Sequence, residues 1–285
     1  MENPGGTGHS GKELKMKSAL RPWEEYLPPF HVCGKLWHVG GKSSPSYLFD
    51  TGDGLLLLDT GYPKTAYLLI QNIHELGFDP RKIRWILHSH GHIDHMGATR
   101  ALVELTGAKT YIGAGDREIV NGTVDLSWAR ELNTEFVELF EPDVLIRDGD
   151  VLTFGALTFR CLSTPGHTPG VISYFFELEE DGVVYRAGMH GGVGFNSMAG
   201  EFLRRYGLST ECRTQFLAGL DRLKREPVDV FVGNHLGNNR SLEKVARREA
   251  APDDPNPFID PEEWLRFLNS READFRRFLE EENKK

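Results

Sequence analysis

The stretch of residues 88–95, with the sequence HSHGHIDH, follows directly after the short segment IRWIL. A nearly all-apolar segment of this length is typical of a strand that is buried on both faces. Residues two apart in an extended loop point the same way, so His90 and His92 can reach a single ion. Asp94 and His95 are adjacent and can turn toward a second ion. The sequence therefore predicts a metal site directly after a buried strand.

Two more histidines stand where they can complete such a site. His167 lies in STPGHTPG, a loop whose prolines and glycines hold the backbone in a fixed turn. His235 ends the segment VDVFVGNH, again just past an apolar strand. Ligands that follow strand ends in different parts of a chain are typical of a preorganised site. Because Zn²⁺ readily binds neutral imidazole and carboxylate, both histidines are candidate zinc ligands.

Strands alternate with helices in both halves of the chain. The first half has a strand at KLWHVGG, a hairpin that turns at Asp53-Gly54, and helical spacing of apolar residues in PKTAYLLIQNIHELGFD. The second half has a hairpin that turns at Asp181-Gly182, a helix around TQFLAGLDRLKRE and the strand VDVFVGNH. This pattern predicts an α/β protein with two β-sheets and helices outside them.

The two ends of the chain differ from its middle. The first residues contain no apolar run, so we expect a flexible tail at 1–25, no signal peptide and a cytoplasmic protein. One domain is expected at 26–250, and a proline-rich linker and a helix that packs on the same domain at 251–285. Asp260 is the expected N-cap of this helix, with Glu263 closing a capping box. Its apolar stripe consists of Trp264, Leu268, Phe275, Phe278 and Leu279.

Charge and cysteine content limit the partners of the protein. The 285 residues carry a net charge of −9, which argues against a nucleic-acid surface because phosphate binding needs clustered lysine and arginine. No stretch approaches the roughly 18 apolar residues of a membrane-spanning helix. The three cysteines are far apart, which suits a reducing compartment. We therefore expect a small-molecule substrate and neither a nucleic-acid nor a membrane partner, whereas the sequence leaves the oligomeric state open.

From about residue 30 to about residue 240, the chain resembles the metallo-β-lactamase superfamily in the motifs LLLLDTG, HSHGHIDHMGA, TPGHTPG and GNH. The resemblance implies an αββα four-layer sandwich of two mixed sheets, with a dinuclear zinc site at one edge of the sheets. It implies a first zinc on His90, His92 and His167, and a second zinc on Asp94, His95 and His235. Asp59, in LLLLDTG, matches the aspartate that orients the metal cluster through hydrogen bonds.

One position departs from many hydrolases of the superfamily, which have an aspartate that bridges both metals. In this chain the corresponding stretch is VVYRAGMHGG, and Met189 stands at the bridging position. A thioether is a poor zinc ligand beside carboxylate or imidazole, so Met189 is expected not to coordinate. The pattern is closest to the metallo-β-lactamase subclass that has no cysteine ligand, which binds two zinc ions without a ligand at this position. Two zinc ions are therefore expected, with the second site weaker.

The resemblance implies a zinc-dependent hydrolase in which a metal-bound hydroxide attacks a carbonyl, as in the opening of a cyclic amide or ester. Asp94 would hold the second zinc and orient the hydroxide. The alternatives are a lactonase, thioesterase or phosphodiesterase of the same fold, an iron-dependent redox member of the superfamily, or a relative that has lost its chemistry. No protein nucleophile is expected, because the chain has no GxSxG motif and no cysteine near the metal motifs.

Several residues are expected around the ligands rather than among them. His88 should be a buried, hydrogen-bonded residue inside the strand, and His190 should orient the site or form part of the pocket wall. The remaining candidates for the substrate pocket are Met189, Phe195, Trp128 and Tyr206. Core packing also explains buried aromatic residues, so these four assignments depend on the loops that follow the strands.

Overall fold

Two mixed β-sheets pack face to face in the computed structural model, which describes residues 21–134 and 138–284. Within these residues, the first sheet has seven strands in chain order: β1 (Phe30–Cys33), β2 (Leu36–His38), β3 (Tyr47–Asp50), β4 (Leu55–Leu58), β5 (Ile83–Leu87), β6 (Lys109–Gly113) and β7 (Val144–Ile146). The second sheet has five: β8 (Val151–Phe154), β9 (Leu157–Ser163), β10 (Ile172–Glu180), β11 (Val183–Met189) and β12 (Val230–Phe231). Its spatial order is β12-β11-β10-β9-β8. Strands β4 to β7 run parallel, as do β11 and β12.

Alternate side chains of the strands fill the space between the two sheets, because successive residues of a strand point to opposite faces. Phe49 of β3 contacts two aromatic rings of the second sheet across this space. Its ring centroid lies 5.3 Å from that of Phe159 and 5.2 Å from that of Phe176. These edge-on contacts lock the sheets together in a fully buried apolar layer.

Helices cover the outer faces of both sheets. Helices α1 (Ala66–Glu75) and α3 (Thr99–Thr106) pack on the first sheet, and α6 (Glu211–Leu223) and α8 (Glu263–Glu282) pack on the second. The other α-helices of the described residues are α2 (Ile93–Met96), α4 (Arg117–Val120), α5 (Gly200–Tyr206) and α7 (Ser241–Ala250). The order helix, sheet, sheet, helix confirms the predicted αββα sandwich.

The two predicted hairpins form at the predicted turns. β3 and β4 pair antiparallel around the Asp53-Gly54 turn, and β10 and β11 pair around Asp181-Gly182. In the second turn both residues have positive φ, 53° for Asp181 and 77° for Gly182, as a two-residue hairpin turn matched to the twist of its strands requires. Strand β5 differs from the sequence prediction of a strand buried on both faces, because the side chain of Arg84 is exposed.

The C-terminal helix α8 packs on the second sheet, but it begins later than the sequence predicts. Asp260 Oδ1 accepts a hydrogen bond from Glu262 N (3.0 Å) ahead of the helix, and the side chain of Glu263 pairs with Lys244. The predicted capping box is therefore wrong, because Lys244 competes for the carboxylate that would close it. Trp264, Leu268 and Phe275 are buried, as the apolar stripe predicts.

The start of the chain is only partly covered by the description. Most of the predicted tail, residues 1–25, lies outside the described residues. Its last part, Pro22–Glu25, forms a 3-10 helix in which Glu25 is buried, so this part is not a flexible tail. Among the residues that the structure describes, no helix combines the length and the apolar character that a membrane crossing needs.

Candidate metal centre

Three predicted zinc ligands, His90, His92 and His167, meet at the edge of the sandwich where strands β5 and β9 end. Each histidine offers one ring nitrogen, and these three nitrogens lie within 4.8 Å of one another. The ring centroids are 4.7 Å apart for His90–His92, 4.7 Å for His90–His167 and 4.4 Å for His92–His167. His90 and His92 project from the loop after β5, and His167 from the loop between β9 and β10. A single ion can contact all three imidazoles.

The other three predicted ligands lie directly beside this cluster. His90, Asp94 and His95 also offer ligand atoms within 4.8 Å of one another, so His90 belongs to both groups. His95 Nε2 lies 3.4 Å from His235 Nε2 and 3.7 Å from Asp94 Oδ2, and His235 Nε2 lies 4.0 Å from the same carboxylate oxygen. Asp94 and His95 are held in the single turn of α2, which points both side chains inward. The structure thus brings all six predicted ligands into one place.

The chemistry of this cluster fits a divalent metal ion. Among the described residues, His90 Nε2 is buried without a hydrogen-bond partner, although a buried unpaired polar atom costs about 1–3 kcal/mol. Burial, reinforced by His95 and His167, holds the pKa of His90 well below its usual value, so its ring is neutral and its lone pair is available. Neutral imidazole nitrogens joined by one carboxylate are a donor set that zinc prefers.

Asp59 and Ser89 hold two of the imidazoles in the orientation that a metal ligand needs. Asp59 is fully buried, with φ of 60°, and its Oδ2 lies 2.7 Å from His95 Nδ1. Ser89 donates to Asp59 through both its N and its Oγ, at 2.7 Å each, and Ser89 Oγ lies 3.0 Å from His90 Nδ1. Because each Nδ1 faces an acceptor, the proton of each ring sits there and Nε2 is left for the metal.

Asp116 holds together the two loops that carry His90, His92 and His167, a role that no motif of the sequence predicts. Its carboxylate accepts hydrogen bonds from Gly91 N (2.8 Å), Gly170 N (2.6 Å) and Thr168 Oγ1 (2.6 Å). These partners are the immediate neighbours of the three histidines or lie within three residues of them. Burial raises the pKa of Asp116 to about 6, against the opposite effect of its three donors.

Close packing of glycines allows the loops to approach each other. A Cβ on Gly113 would lie 1.9 Å from Gly170 O, and a Cβ on Gly170 would lie 2.4 Å from Asp116 N. Real Cβ atoms do not come this near, so only glycine fits at either position. The end of β6 and the His167 loop are therefore in backbone contact.

Comparison with known proteins agrees with this geometry. The family model described as the metallo-beta-lactamase superfamily matches residues 39–186, which is more than half of the chain. The chain belongs to the metallo-β-lactamase superfamily. The resemblance that the sequence motifs indicate is thereby confirmed.

Curated relatives match only part of this chain. A hydroxyacylglutathione hydrolase of Anaeromyxobacter dehalogenans is 34% identical over 132 residues, which are 46% of this chain and 42% of that protein. An uncharacterized protein of Aquifex aeolicus is 38% identical over 96 residues, which are 34% of this chain and 44% of that protein. The chain thus spans less than half the length of these relatives.

Solved metallo-β-lactamases match nearly the whole chain. BJP-1, a subclass B3 metallo-β-lactamase of Bradyrhizobium japonicum, superposes with a TM-score of 0.82 at 26% identity, covering 93% of this chain and 98% of that one. FEZ-1 of Legionella gormanii gives a TM-score of 0.83 at 25% identity, covering 92% and 99%. These matches agree with the predicted nearness to metallo-β-lactamases, and the first of them is named as a subclass B3 enzyme.

Two other histidines, His88 and His190, are those that the sequence predicts around the ligands rather than among them. His88 follows directly after β5 and is fully buried, with Nδ1 2.9 Å from Tyr111 O and Nε2 2.7 Å from Thr99 Oγ1. It is hydrogen-bonded as the sequence predicts, but it lies past the end of the strand. His190 is buried near the ring of Phe216 (5.9 Å), and burial lowers its pKa to about 3.

A cavity of about 270 Å³ opens beside His92 and His167. Its apolar wall consists chiefly of Ile119, Leu126, Phe202, Leu203 and Leu208. The thiol-bearing residue Cys212 also lines it, so the prediction of no cysteine near the metal motifs is wrong. The sequence pattern did not indicate Phe202 and Leu203 as wall residues, because they lie on α5, a short helix in a segment whose sequence resembles a loop.

None of the four residues that the sequence suggests for the pocket lines this cavity, although the ring centroid of Trp128 lies 6.0 Å from that of His92. Met189 is fully buried in the apolar layer between the sheets and does not line this cavity. Phe195 packs against Phe275 of α8 (5.0 Å), also away from the cavity wall. Trp128 and Tyr206 pack against the wall residue Phe202, and their ring centroids lie 5.3 Å and 4.6 Å from that of Phe202.

Proposed function

We propose that this chain is a zinc-dependent hydrolase that cleaves a carbonyl compound, such as a cyclic amide or an ester. The observation that carries the proposal is that six side chains, five histidines and Asp94, bring their nitrogen and oxygen donors together at one edge of the sandwich. The printed names of the relatives support it, because they include a hydroxyacylglutathione hydrolase and metallo-β-lactamases. The first zinc would be held by His90, His92 and His167, and the second by Asp94, His95 and His235.

The residues of this chain have distinct parts in the proposed reaction. Bound zinc supplies Lewis acidity for the carbonyl and makes water acidic enough to act as a nucleophile near neutral pH. Asp59 keeps His95 Nε2 turned toward the cluster, and Asp94 is a buried carboxylate that can accept a hydrogen bond from the attacking water. As the carboxylate among these donors, Asp94 would also offset part of the charge of the ions.

We also propose that the second zinc binds more weakly than the first. Met189 stands at the position of the bridging aspartate, and its side chain is fully buried in the apolar layer. The second group therefore depends on one carboxylate, that of Asp94.

We place the protein in a reducing compartment such as the cytoplasm, because all three cysteines are free thiols.

The proposal predicts that activity depends reversibly on metal. Purified without added metal, the protein should contain between one and two zinc atoms per chain by elemental analysis, because the second site is the weaker one. Dialysis against a chelator should abolish hydrolysis of a chromogenic β-lactam or of a lactone, and zinc should restore it while magnesium should not, because magnesium prefers oxygen ligands. Iron in place of zinc, or hydrolysis that survives complete removal of metal, would overturn the proposal.

A further inference from the structure

The cavity beside the metal ligands is walled mostly by hydrocarbon. Five aliphatic or aromatic side chains form the wall, from α4, α5 and the segments that follow them, and His92 and His167 also line the cavity. Phe202 and Leu203 are buried, whereas Leu208 is 39% exposed and lies at the mouth. At about 270 Å³ the cavity lies near the lower limit of small-molecule pockets, which is roughly 300 Å³. It can hold one substituent of a substrate rather than a large ligand.

The wall offers no partner for a negative charge. Among the described residues that line the cavity, none is lysine or arginine, and Glu211 carries a carboxylate. Glu211 is the first residue of α6, so its own charge offsets the partial positive charge at that end of the helix.

Two of the three hydroxyl groups that line the cavity already donate a hydrogen bond, and the third, Ser209 Oγ, accepts one from Glu211 N (3.2 Å) and carries no positive charge. Thr168 Oγ1 donates to Asp116 Oδ2 (2.6 Å), and Ser197 Oγ donates to His167 O (2.6 Å). Each hydroxyl has one proton to donate, so neither can also hold a substrate carboxylate without breaking an existing hydrogen bond. A carboxylate placed in this cavity would therefore lose its water and gain no counter-charge.

We propose that the cavity binds an uncharged aliphatic or aryl substituent of the substrate while its carbonyl lies at the histidine cluster. The preferred substrates are then neutral hydrophobic esters, thioesters or lactones, and compounds with a carboxylate on that substituent are excluded. This inference rests on the proposed function, because it assumes that the bond to be cleaved lies at the metal ligands.

A series of p-nitrophenyl esters tests the preference with the zinc-loaded protein. From acetate to pentanoate, kcat/KM should rise about fourfold for each methylene, the factor that corresponds to burial of one methylene. The hemisuccinate ester, which has a similar length but ends in a carboxylate, should react roughly 100-fold more slowly than the pentanoate because its charge is buried without a partner. A flat series, or a preference for the hemisuccinate, would overturn the proposal.

A charge placed at the mouth of the cavity should change this selectivity. Leu208→Arg adds a cation at a partly exposed residue, so folding should be unaffected, and the ratio of hemisuccinate to pentanoate turnover should rise roughly tenfold. Leu242→Arg is the matched control, because Leu242 is 47% exposed on α7 and does not line the cavity. An equal change of the ratio in both variants would show that the protein's overall charge, and not the cavity, sets the preference.

Binding of alkyl thiols separates this inference from the proposed function. A thiolate is a zinc ligand, so butanethiol and 3-mercaptopropionate can bind the zinc-loaded protein with their tails in the cavity and without any turnover. Calorimetry should show tighter binding of butanethiol, by at least about tenfold. If this holds while no ester, lactam or lactone is cleaved, the cavity assignment stands and the proposed hydrolysis fails. If esters are cleaved but the thiols bind equally, the cavity assignment fails.

Discussion

Replacing His90 by alanine is expected to remove both the activity and the stabilisation of the protein by zinc. His90 belongs to both groups of candidate ligands, so its loss weakens both ion sites at once. We expect kcat/KM to fall by roughly 10³-fold, because metal ions contribute several kcal/mol of transition-state stabilisation. Zinc at 100 times its dissociation constant should stabilise the unchanged protein by about 2.7 kcal/mol, and His90→Ala by much less. Unfolding in denaturant with and without zinc measures this difference.

The metal-free stability of His90→Ala provides a second expectation. Truncation leaves a cavity, which is destabilising, but it also removes the buried Nε2 that has no partner among the described residues. These effects oppose each other, so the free energy of unfolding without metal should change less than for an ordinary truncation in the core.

His38→Ala is the matched control for this variant. His38 is also fully buried, its two ring nitrogens have no hydrogen-bond partner in the described part of the chain, and it stacks on Phe30 at 4.6 Å, away from the cluster. Its truncation leaves a cavity and removes these two buried nitrogens, so the same opposing effects apply, and any change in the free energy of unfolding should be equal with and without zinc. If zinc stabilised His90→Ala as much as the unchanged protein, the assignment of the cluster as a metal centre would be wrong.

The sequence predicts those features of the site and fold that depend on the local spacing of residues. The alternation at His90 and His92, the adjacent pair Asp94-His95 and the positions of His167 and His235 after strands are all local patterns, and the structure brings these residues together. The hairpin turns were equally predictable, because their conformation demands particular residues.

Other features of the site depend on contacts between distant parts of the chain. Asp116 lies in AGDREI, which resembles the start of any helix, and its partners Gly91 and Gly170 are 25 and 54 residues away. The segment around Phe202 resembles a glycine-rich loop, and only its folding as α5 makes that ring a cavity wall. Met189 is different, because the alternation of β11 was enough to place its side chain in the core with that of Ala187.

Replacing Asp116 by alanine is expected to weaken metal binding although Asp116 is not a candidate ligand. The substitution leaves three buried donors, Gly91 N, Gly170 N and Thr168 Oγ1, without their acceptor, and each such group costs about 1–3 kcal/mol. The free energy of unfolding should therefore fall by several kcal/mol. Because these donors hold the loops of His90, His92 and His167 together, the zinc dissociation constant should rise about 10- to 100-fold, as for other groups that orient metal ligands.

The decisive measurement is zinc affinity per folded molecule, obtained by competition with a chromogenic chelator under conditions where the variant remains folded. Asp143→Ala is the matched control. Like Asp116, Asp143 accepts hydrogen bonds from a backbone N and a hydroxyl, in this case Thr110 N (2.8 Å) and Thr110 Oγ1 (2.9 Å) of β6, but Thr110 is not in a loop that carries metal ligands. It should lose stability and keep its zinc affinity. Asp116→Asn should recover part of the affinity, because one amide oxygen can accept only some of the three hydrogen bonds while its NH₂ group meets another donor. Unchanged zinc affinity in Asp116→Ala would mean that Asp116 stabilises the fold without positioning the ligands.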